Sequence, residues 1–457
     1  MKMQLGEIAT AVSAQNETTM WTEIEVSSVA FDSRQLTPGA LFVPLAGERD
    51  GHEFIEQAMA NGAVATFWKA DRGPAPTDYP VLVVDDPLTA LQELSRHYLL
   101  KINPKVVAIT GSNGKTTTKD MVAAILATRF NVTKTQDNFN NEIGVPVTIL
   151  AMEPNTEILV IELGMDRPGQ LDFLSKLVSP DLAIITMIGE AHIEFFGTRG
   201  KIADAKMEIT HGLKEDGLFV FDGDEPLLQE RATAVEQRQM TFGRQTADEM
   251  VATEVQTTET ATTFKTNQWP DQLFELPMIG DYNVNNALAA LCVAQAYRIS
   301  ASDAAQAFLD MNLTKNRAEW VDGAAGERIL SDVYNSNPTA VKEVMAAFSQ
   351  VDVAGTRRVV LGDMLELGAQ ADALHASLAS AFDPQLIQAV YLVGPHMKAL
   401  YDELLKQYPE TALHLYQTDE LATLTAQLQT DMTSADAVLI KGSHGIHLET
   451  VLAELKA

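Results

Sequence analysis

The run Thr110-Gly111-Ser112-Asn113-Gly114-Lys115-Thr116-Thr117 holds the residues of this chain best suited to chemistry. Backbone N–H groups of a glycine-rich turn, with the N-terminus of the helix it opens, cradle phosphate oxygens. In such a loop Lys115 reaches the β and γ phosphates and the Thr116 hydroxyl ligates Mg2+. The usual spacing places a glycine five residues before Gly114, but Ile109 stands there and the first glycine is Gly111. Context restores the phosphate-loop reading. Val106-Val107-Ala108-Ile109 is a buried strand entering the turn, and Met121, Val122, Ile125 and Leu126 follow at helical spacing from about Thr116.

Further candidates follow the next strands. Glu162 ends the apolar run Ile158-Leu159-Val160-Ile161, so its carboxylate projects from the C-terminal edge of a parallel sheet, where such sheets bind ligands. His192, in Gly189-Glu190-Ala191-His192, comes after the following strand in the same manner; beside Thr116 and Glu162 it reads as a metal ligand rather than a plain loop residue. Lys206 sits on an expected helix, Gly200 to Ile209, where spacing alone predicts a solvated surface charge. The stretch Asn138-Phe139-Asn140-Asn141-Glu142-Ile143-Gly144-Val145-Pro146 is rich in amides, which satisfy peptide and sugar groups without adding charge. Capping and turn formation account for it equally well, and the same two readings stand for Gly280-Asp281-Tyr282-Asn283-Val284-Asn285-Asn286.

Positioning these groups requires short β-branched runs alternating with helices, the pattern of an α/β protein with largely parallel sheets. Strands are expected at Val26 to Phe31, Ala40 to Leu45, Ile158 to Leu163, Leu182 to Ile188 and Leu218 to Phe221. A second βα series is expected near Arg328 to Val333, Arg358 to Leu361, Val390 to Val393 and Ala437 to Ile440. Lys101-Ile102-Asn103-Pro104 reads as a connector, and Asn312-Leu313-Thr314-Lys315-Asn316 as the hinge between the two series. At 457 residues the chain exceeds one hydrophobic core, and about three domains are expected.

Composition narrows the partners. A net charge of -29 repels phosphate backbones, which argues against nucleic acid and anionic membranes and requires a local cluster of donors for any anionic ligand. Apolar runs fall short of the ~20 residues of a membrane span, and Met1 to Thr10 lacks a signal-peptide core, so a cytoplasmic protein is expected. Cys292 is the only cysteine, which rules out an intramolecular disulfide and a cysteine metal cluster; its apolar surroundings, Leu288 to Ala294, make it a core residue.

The chain resembles the Mur ligase family over essentially its whole length. The resemblance rests on Phe31-Asp32-Ser33-Arg34 with Gly47 and Asp50-Gly51-His52, the loop Gly111 to Thr117, Asn138 to Pro146, Glu162-Leu163-Gly164-Met165 and Gly189-Glu190-Ala191-His192. It continues through Asn283 with Asn286, Asp332 with Tyr334-Asn335-Ser336-Asn337-Pro338, Leu361 to Gly368, and Lys441-Gly442-Ser443. The displaced Gly111 is then the family's own form of the loop. The resemblance implies three α/β domains: residues 1–100 for the UDP-sugar, 101–314 for a central P-loop-type ATPase with a mostly parallel sheet, and 315–457 for a C-terminal Rossmann-like domain that closes over the site.

The activity it implies is an ATP-dependent amide ligase for peptidoglycan precursors, joining D-alanyl-D-alanine to UDP-N-acetylmuramoyl-tripeptide through an acyl phosphate, with ADP and phosphate released. By the same resemblance Thr116 and Glu162 hold one Mg2+, His192 a second, and Lys206 is carboxylated on Nζ to become an anionic oxygen ligand. Lys115, Glu162, His192 and Lys206 form the catalytic group. Gly111, Ser112, Asn113, Gly114, Lys115, Thr116 and Thr117 hold the nucleotide with Asn283, Arg317, Asp332 and Asn335. Ser33 and Arg34 serve the UDP moiety, and Asn138 and Asn141 face the muramoyl-peptide. A monomer is expected. One departure is His444, where the family usually has arginine. The competing readings are another Mur or folylpolyglutamate-type ligase, disfavoured by the amide-rich segment and the lack of an Asp-Asn-Pro-Arg motif, and a nucleotide-dependent switch or transport ATPase.

Overall fold

The β-branched runs form strands where expected because strands covered on both faces need no polar alternation. Every residue of Ile158–Glu162 is buried, and so are Val106 to Thr110 of Lys105–Thr110. The computed structural model describes residues 1–312, 314 and 317–456, so Leu313, Lys315 and Asn316 of the expected hinge lie outside the described residues. The chain divides into two compact units, each assembled from separated segments: Met1–Thr110, Arg129–Ala183 and Glu208–Phe219 in one; Gly111–Thr128, Ile184–Met207 and Val220–Ala457 in the other.

In the first unit Ser28–Ala30, Ala40–Phe42, Ala63–Lys69 and Val81–Val84 form a parallel four-stranded sheet. The single strand expected from Val26 to Phe31 is two, because Glu25–Val26 pairs with Met3–Gln4 while the Ser27 N–H donates to the Gly39 carbonyl. The helix Pro87–Ile102 begins with proline at its first turn, and the Asp86 carboxylate accepts from the Thr89 N–H at 2.9 Å. Beyond it, Lys105–Thr110, Ile158–Glu162 and Val132–Lys134 run parallel, with Ile109 in register with Glu162. In this register the strand that ends at Glu162 lies beside the strand whose chain continues into Gly111.

The second unit opens with the loop and its helix, Lys115–Ala127. Strand Leu182–Ile185 stops short of the expected Ile188, because the Met187 carbonyl is used to accept from the Ser112 N–H. Four strands that sequence reasoning missed, Arg238–Gly243, Met250–Thr257, Thr262–Thr266 and Phe274–Leu276, pair in succession, the first two parallel and the rest antiparallel. Helix Tyr282–Ala296 carries Cys292, fully buried as expected, and burial pushes its thiol pKa up.

The C-terminal βα series forms a six-stranded sheet in the order Glu319–Asp322, Arg328–Asp332, Ala437–Lys441, Arg357–Gly362, Ala389–Val393 and Leu413–Tyr416. Only the first pair is antiparallel. Its core joins Ile329, Val360, Tyr391 and Ile440 with Leu424, Leu428, Val451 and Leu452 of the covering helices. The architecture is α/β with mixed, mainly parallel sheets. Among the described residues no helix is long and apolar enough to cross a membrane.

Candidate active site

The loop is built on two glycines that no other residue could replace in place. Gly111 has φ +153°, and a Cβ there would overlap the Thr186 hydroxyl, which itself donates to the Asn113 carbonyl at 2.5 Å. Gly114 has φ +78°, and a Cβ there would overlap the Asn286 amide oxygen. Lys115 Nζ donates to the carbonyls of Gly111 at 2.9 Å and Ser112 at 3.4 Å, which keeps the loop curled around the ammonium. The Ser112 hydroxyl is buried with no hydrogen-bond partner among the described residues. A buried hydroxyl without a partner, in a glycine-rich loop that opens a helix, suits an anionic ligand.

Behind the loop runs a chain of amides. Asn286 Oδ1 accepts from Thr118 Oγ1 at 3.2 Å, Asn286 Nδ2 donates to Asn283 Oδ1 at 3.1 Å, and Asn283 Nδ2 donates to the Ile279 carbonyl at 2.9 Å. The structure thus places Asn283 among buried amides that support Gly114. Sequence reasoning also missed Asp120, buried on the loop's helix, which ion-pairs with Lys119 at 3.4 Å and accepts from the Thr314 N–H at 2.9 Å.

The C-terminal series brings further groups to this loop. Arg317 donates to Thr116 Oγ1 at 3.3 Å, lies 4.1 Å over the Tyr334 ring, and keeps a buried Nε with no acceptor among the described residues. Asn113 and Asn337 pair through their amides, Asn337 Nδ2 donating at 2.6 Å and Asn113 Nδ2 donating back at 3.2 Å. Asn337 Oδ1 also accepts from the Ala340 N–H at 3.0 Å, capping the helix Pro338–Ser349. Asp332 and Lys441 are register partners at the C-terminal ends of adjacent strands, and they meet at 2.6 Å. Lys441 donates as well to the Asn335 carbonyl at 2.8 Å, while Asn335 Oδ1 accepts from the Ser336 N–H. His444 stacks on the Tyr334 ring with centroids 6.0 Å apart.

Three further carboxyl groups belong to the same unit. Thr339 Oγ1 donates to Glu190 at 2.7 Å. Four residues along the same helix, burial pushes the Glu343 carboxyl up to about 7; Glu190 raises it further and Lys441 opposes the rise. His192 pairs through Nδ1 with Glu366, and that hydrogen bond holds the Glu366 carboxyl below its usual range.

Glu162 lies in the first unit, buried; its N–H donates to Thr135 Oγ1 at 2.9 Å and its carboxylate accepts from Asn140 Nδ2 at 2.9 Å. Asn141 Oδ1 accepts from the Ile143 and Gly144 N–H groups at 3.1 and 2.9 Å, opening the helix Gly144–Leu150, so capping is part of that segment's work. Asn138 is exposed. Ser33 Oγ donates to Gln57 at 3.2 Å, and the Arg34 guanidinium folds onto Asp32 at 2.8 Å while 80% exposed.

Lys206 corrects the expectation of a surface charge: it is 2% exposed on the helix Arg199–Met207. That helix is held on its outer side by Arg231, which donates to Asp204 at 2.6 Å and to the Gly200 carbonyl at 3.2 Å. A buried lysine of low solvation is the kind whose amine can lose its proton and react with CO2. Taken singly, the Thr116 hydroxyl of one unit and the Glu162 carboxylate of the other are hard oxygen donors of the kind Mg2+ prefers, as a carboxylated Lys206 would be and an unmodified ammonium would not.

Comparison with known proteins now decides the family. Three family models match: "Mur ligase family, catalytic domain" over residues 25–99, "Mur ligase middle domain" over 109–294 and "Mur ligase, glutamate ligase domain" over 316–444. The chain belongs to the Mur ligase family. It is 38% identical over 456 residues to a Bacillus subtilis relative named UDP-N-acetylmuramoyl-tripeptide--D-alanyl-D-alanine ligase, covering 100% of this chain and 98% of that one. Among solved Mur ligase structures, MurF from Acinetobacter baumannii superimposes with a TM-score of 0.87 at 29% identity, covering 100% of this chain and 99% of that one. MurF from Thermotoga maritima in complex with ADP gives 0.80 at 29% identity, covering 94% and 97%. The three-domain α/β Mur ligase fold is therefore shared across the full length.

Proposed function

We propose that this Mur ligase uses ATP to join D-alanyl-D-alanine to UDP-N-acetylmuramoyl-tripeptide. The observation that carries the reading is the loop Gly111 to Thr117 held between Thr186 and Asn286 and met by Arg317 and Asn337. Relatives of this length and identity, named for that reaction, support the choice of substrates. The three domains divide near residues 100 and 314.

An amine does not displace an ionised carboxylate oxygen at a useful rate, so the tripeptide carboxylate is first phosphorylated. Its oxygen attacks the γ-phosphorus, ADP leaves, and the amine of the dipeptide then attacks the acyl carbon and expels phosphate. The transferring phosphoryl spreads charge over its oxygens, which the Lys115 ammonium and the loop N–H groups are placed to stabilise. Arg317, whose Nη2 donates to Thr116 Oγ1, adds a second fixed cation. Thr116, Glu162, His192 and a carboxylated Lys206 would hold two Mg2+ ions, whose chemistry is neutralisation of phosphate charge. Ser33 and Arg34 would take the UDP moiety, with Asn138 and Asn141 toward the muramoyl-peptide.

Phosphate release measured while omitting each co-substrate in turn tests the proposal. Release should require ATP, the UDP-tripeptide and the dipeptide together; turnover undiminished without the UDP-tripeptide would sink the ligase reading in favour of a plain ATPase. An intact mass of the native protein lacking one CO2 adduct, or an adduct that persists in Lys206→Ala, would count against carboxylation at Lys206.

A further inference from the structure

We infer that Glu366 is a positioning residue for His192, fixing the imidazole as the Nδ1–H tautomer so that Nε2 carries the lone pair for a metal. The inference rests on the proposed reading of His192 as a metal ligand. A neutral imidazole has one N–H and one acceptor nitrogen, and a carboxylate can only accept; a ring whose Nδ1 meets Glu366 therefore keeps its proton on that nitrogen. Metal-ligating histidines are oriented in this way by an outer carboxylate.

The contact is imposed by backbone, not by two long side chains meeting on a surface. His192 and Glu366 are both non-glycine residues at φ +62°, a left-handed conformation that costs energy and persists where surroundings over-determine it. The Glu194 N–H donates to the Glu366 carbonyl at 3.1 Å, anchoring that residue on the turn that follows His192. Gly368, at φ +56°, lies so close that an added Cβ would come within 3.1 Å of the Glu194 side chain. Gln370 Nε2 donates to the Gly197 carbonyl at 3.3 Å, closing the far end of the same turn. The segment Leu361 to Gly368 thus contributes one carboxylate, placed by several main-chain contacts, to a histidine 174 residues away.

The test uses the full-length protein with a non-hydrolysable ATP analogue, its histidine rings labelled with 15N, at mildly alkaline pH and without divalent metal. His192 is assigned by its disappearance in His192→Gln. Wild type should show the Nδ1–H tautomer, Glu366→Ala should move His192 toward Nε2–H, and Glu366→Gln should keep Nδ1–H because its amide oxygen still accepts. Mn2+ titration of the same samples should show Glu366→Ala binding about 10- to 100-fold more weakly and Glu366→Gln close to wild type. Glu366 is half exposed, so these variants keep the fold. An unchanged tautomer in Glu366→Ala, or an unchanged Mn2+ affinity, overturns the positioning role. If His192→Gln binds Mn2+ as tightly as wild type, His192 is not a ligand and the inference falls with it, whereas the co-substrate dependence of phosphate release judges the ligase reading separately.

Discussion

Lys441→Met should uncouple the sheet edge that faces the phosphate loop. Lys441 is 1% exposed, and its ammonium is held by Asp332 at 2.6 Å and the Asn335 carbonyl at 2.8 Å. Methionine fills nearly the same volume, so little packing is lost. What remains is a carboxylate largely removed from water with no cation beside it, a change that costs about 3–5 kcal/mol when one partner of a buried pair is removed. Because Asp332 and Lys441 close the register between two adjacent strands, the cost falls on Arg328–Asp332 and Ala437–Lys441. Native-state hydrogen exchange reads it locally: amides of those strands should lose roughly two to four decades of protection, since about 1.4 kcal/mol is tenfold. Replacing Asp332 by Asn in the same chain removes the stranded charge and should recover most of the loss. A Lys441→Met variant within about 1 kcal/mol of wild type, or a double variant as unprotected as the single, would refute the argument that Asp332 depends on this ammonium.

Gly114→Ala should weaken nucleotide binding and lower the melting temperature, because it adds a left-handed penalty of about 1–2 kcal/mol and displaces the Asn286 amide; isothermal titration with ATP checks it. Asn337→Ser keeps a helix cap but cannot reach Asn113, so it and Asn113→Ala should each reduce turnover while the double variant is no worse than the poorer single; additive losses would show that the amide pair is not one unit. Burial, reinforced by Asp224, Glu225 and Asp248, pushes the Asp222 carboxyl up to about 7 from 3.8. The folded state binds the extra proton, so this group's contribution is present at low pH and is lost as pH rises from about 4 to 7, by up to about 4 kcal/mol. Asp222→Asn should flatten that slope in melting curves taken across the window and be the more stable form at pH about 8.

Much of this molecule was legible in order of residues. The strands Lys105–Thr110, Ile158–Glu162, Ala389–Val393 and Ala437–Lys441 stood out because a parallel strand covered on both faces is an unbroken apolar run. The hairpin strands from Met250 to Leu276 did not, since their half-exposed pattern is spread over threonines and charged residues that also suit loops. Lys206 looked like surface because its helix has no clean apolar face; burial there comes from what packs on it, a property no window of neighbours encodes. Asn283 shows a different limit: its residue type was noticed, while its partner Asn286, its link to Thr118 and the empty space required at Gly114 are facts of packing. Asn113 with Asn337 and His192 with Glu366 pair across 224 and 174 residues, distances at which spacing carries no signal.

The interleaving of the two units bears on how the chain is made. The helix that carries Lys115 leaves the ribosome before Arg129–Ala183, yet it belongs with segments that are synthesised later, ending near the C-terminus. The first unit cannot complete itself until Phe219 has emerged. At about 5–20 residues per second the segment Gly111–Thr128 is therefore made many seconds before the last segment of its own unit. Its polar residues, Lys115, Thr116, Thr117 and Lys119, suit a stretch that must stay soluble during that interval. Translation stalled between Thr128 and Phe219 should leave a protease-sensitive chain, and fragments cut at the apparent domain borders should fold less well than their tidy boundaries suggest.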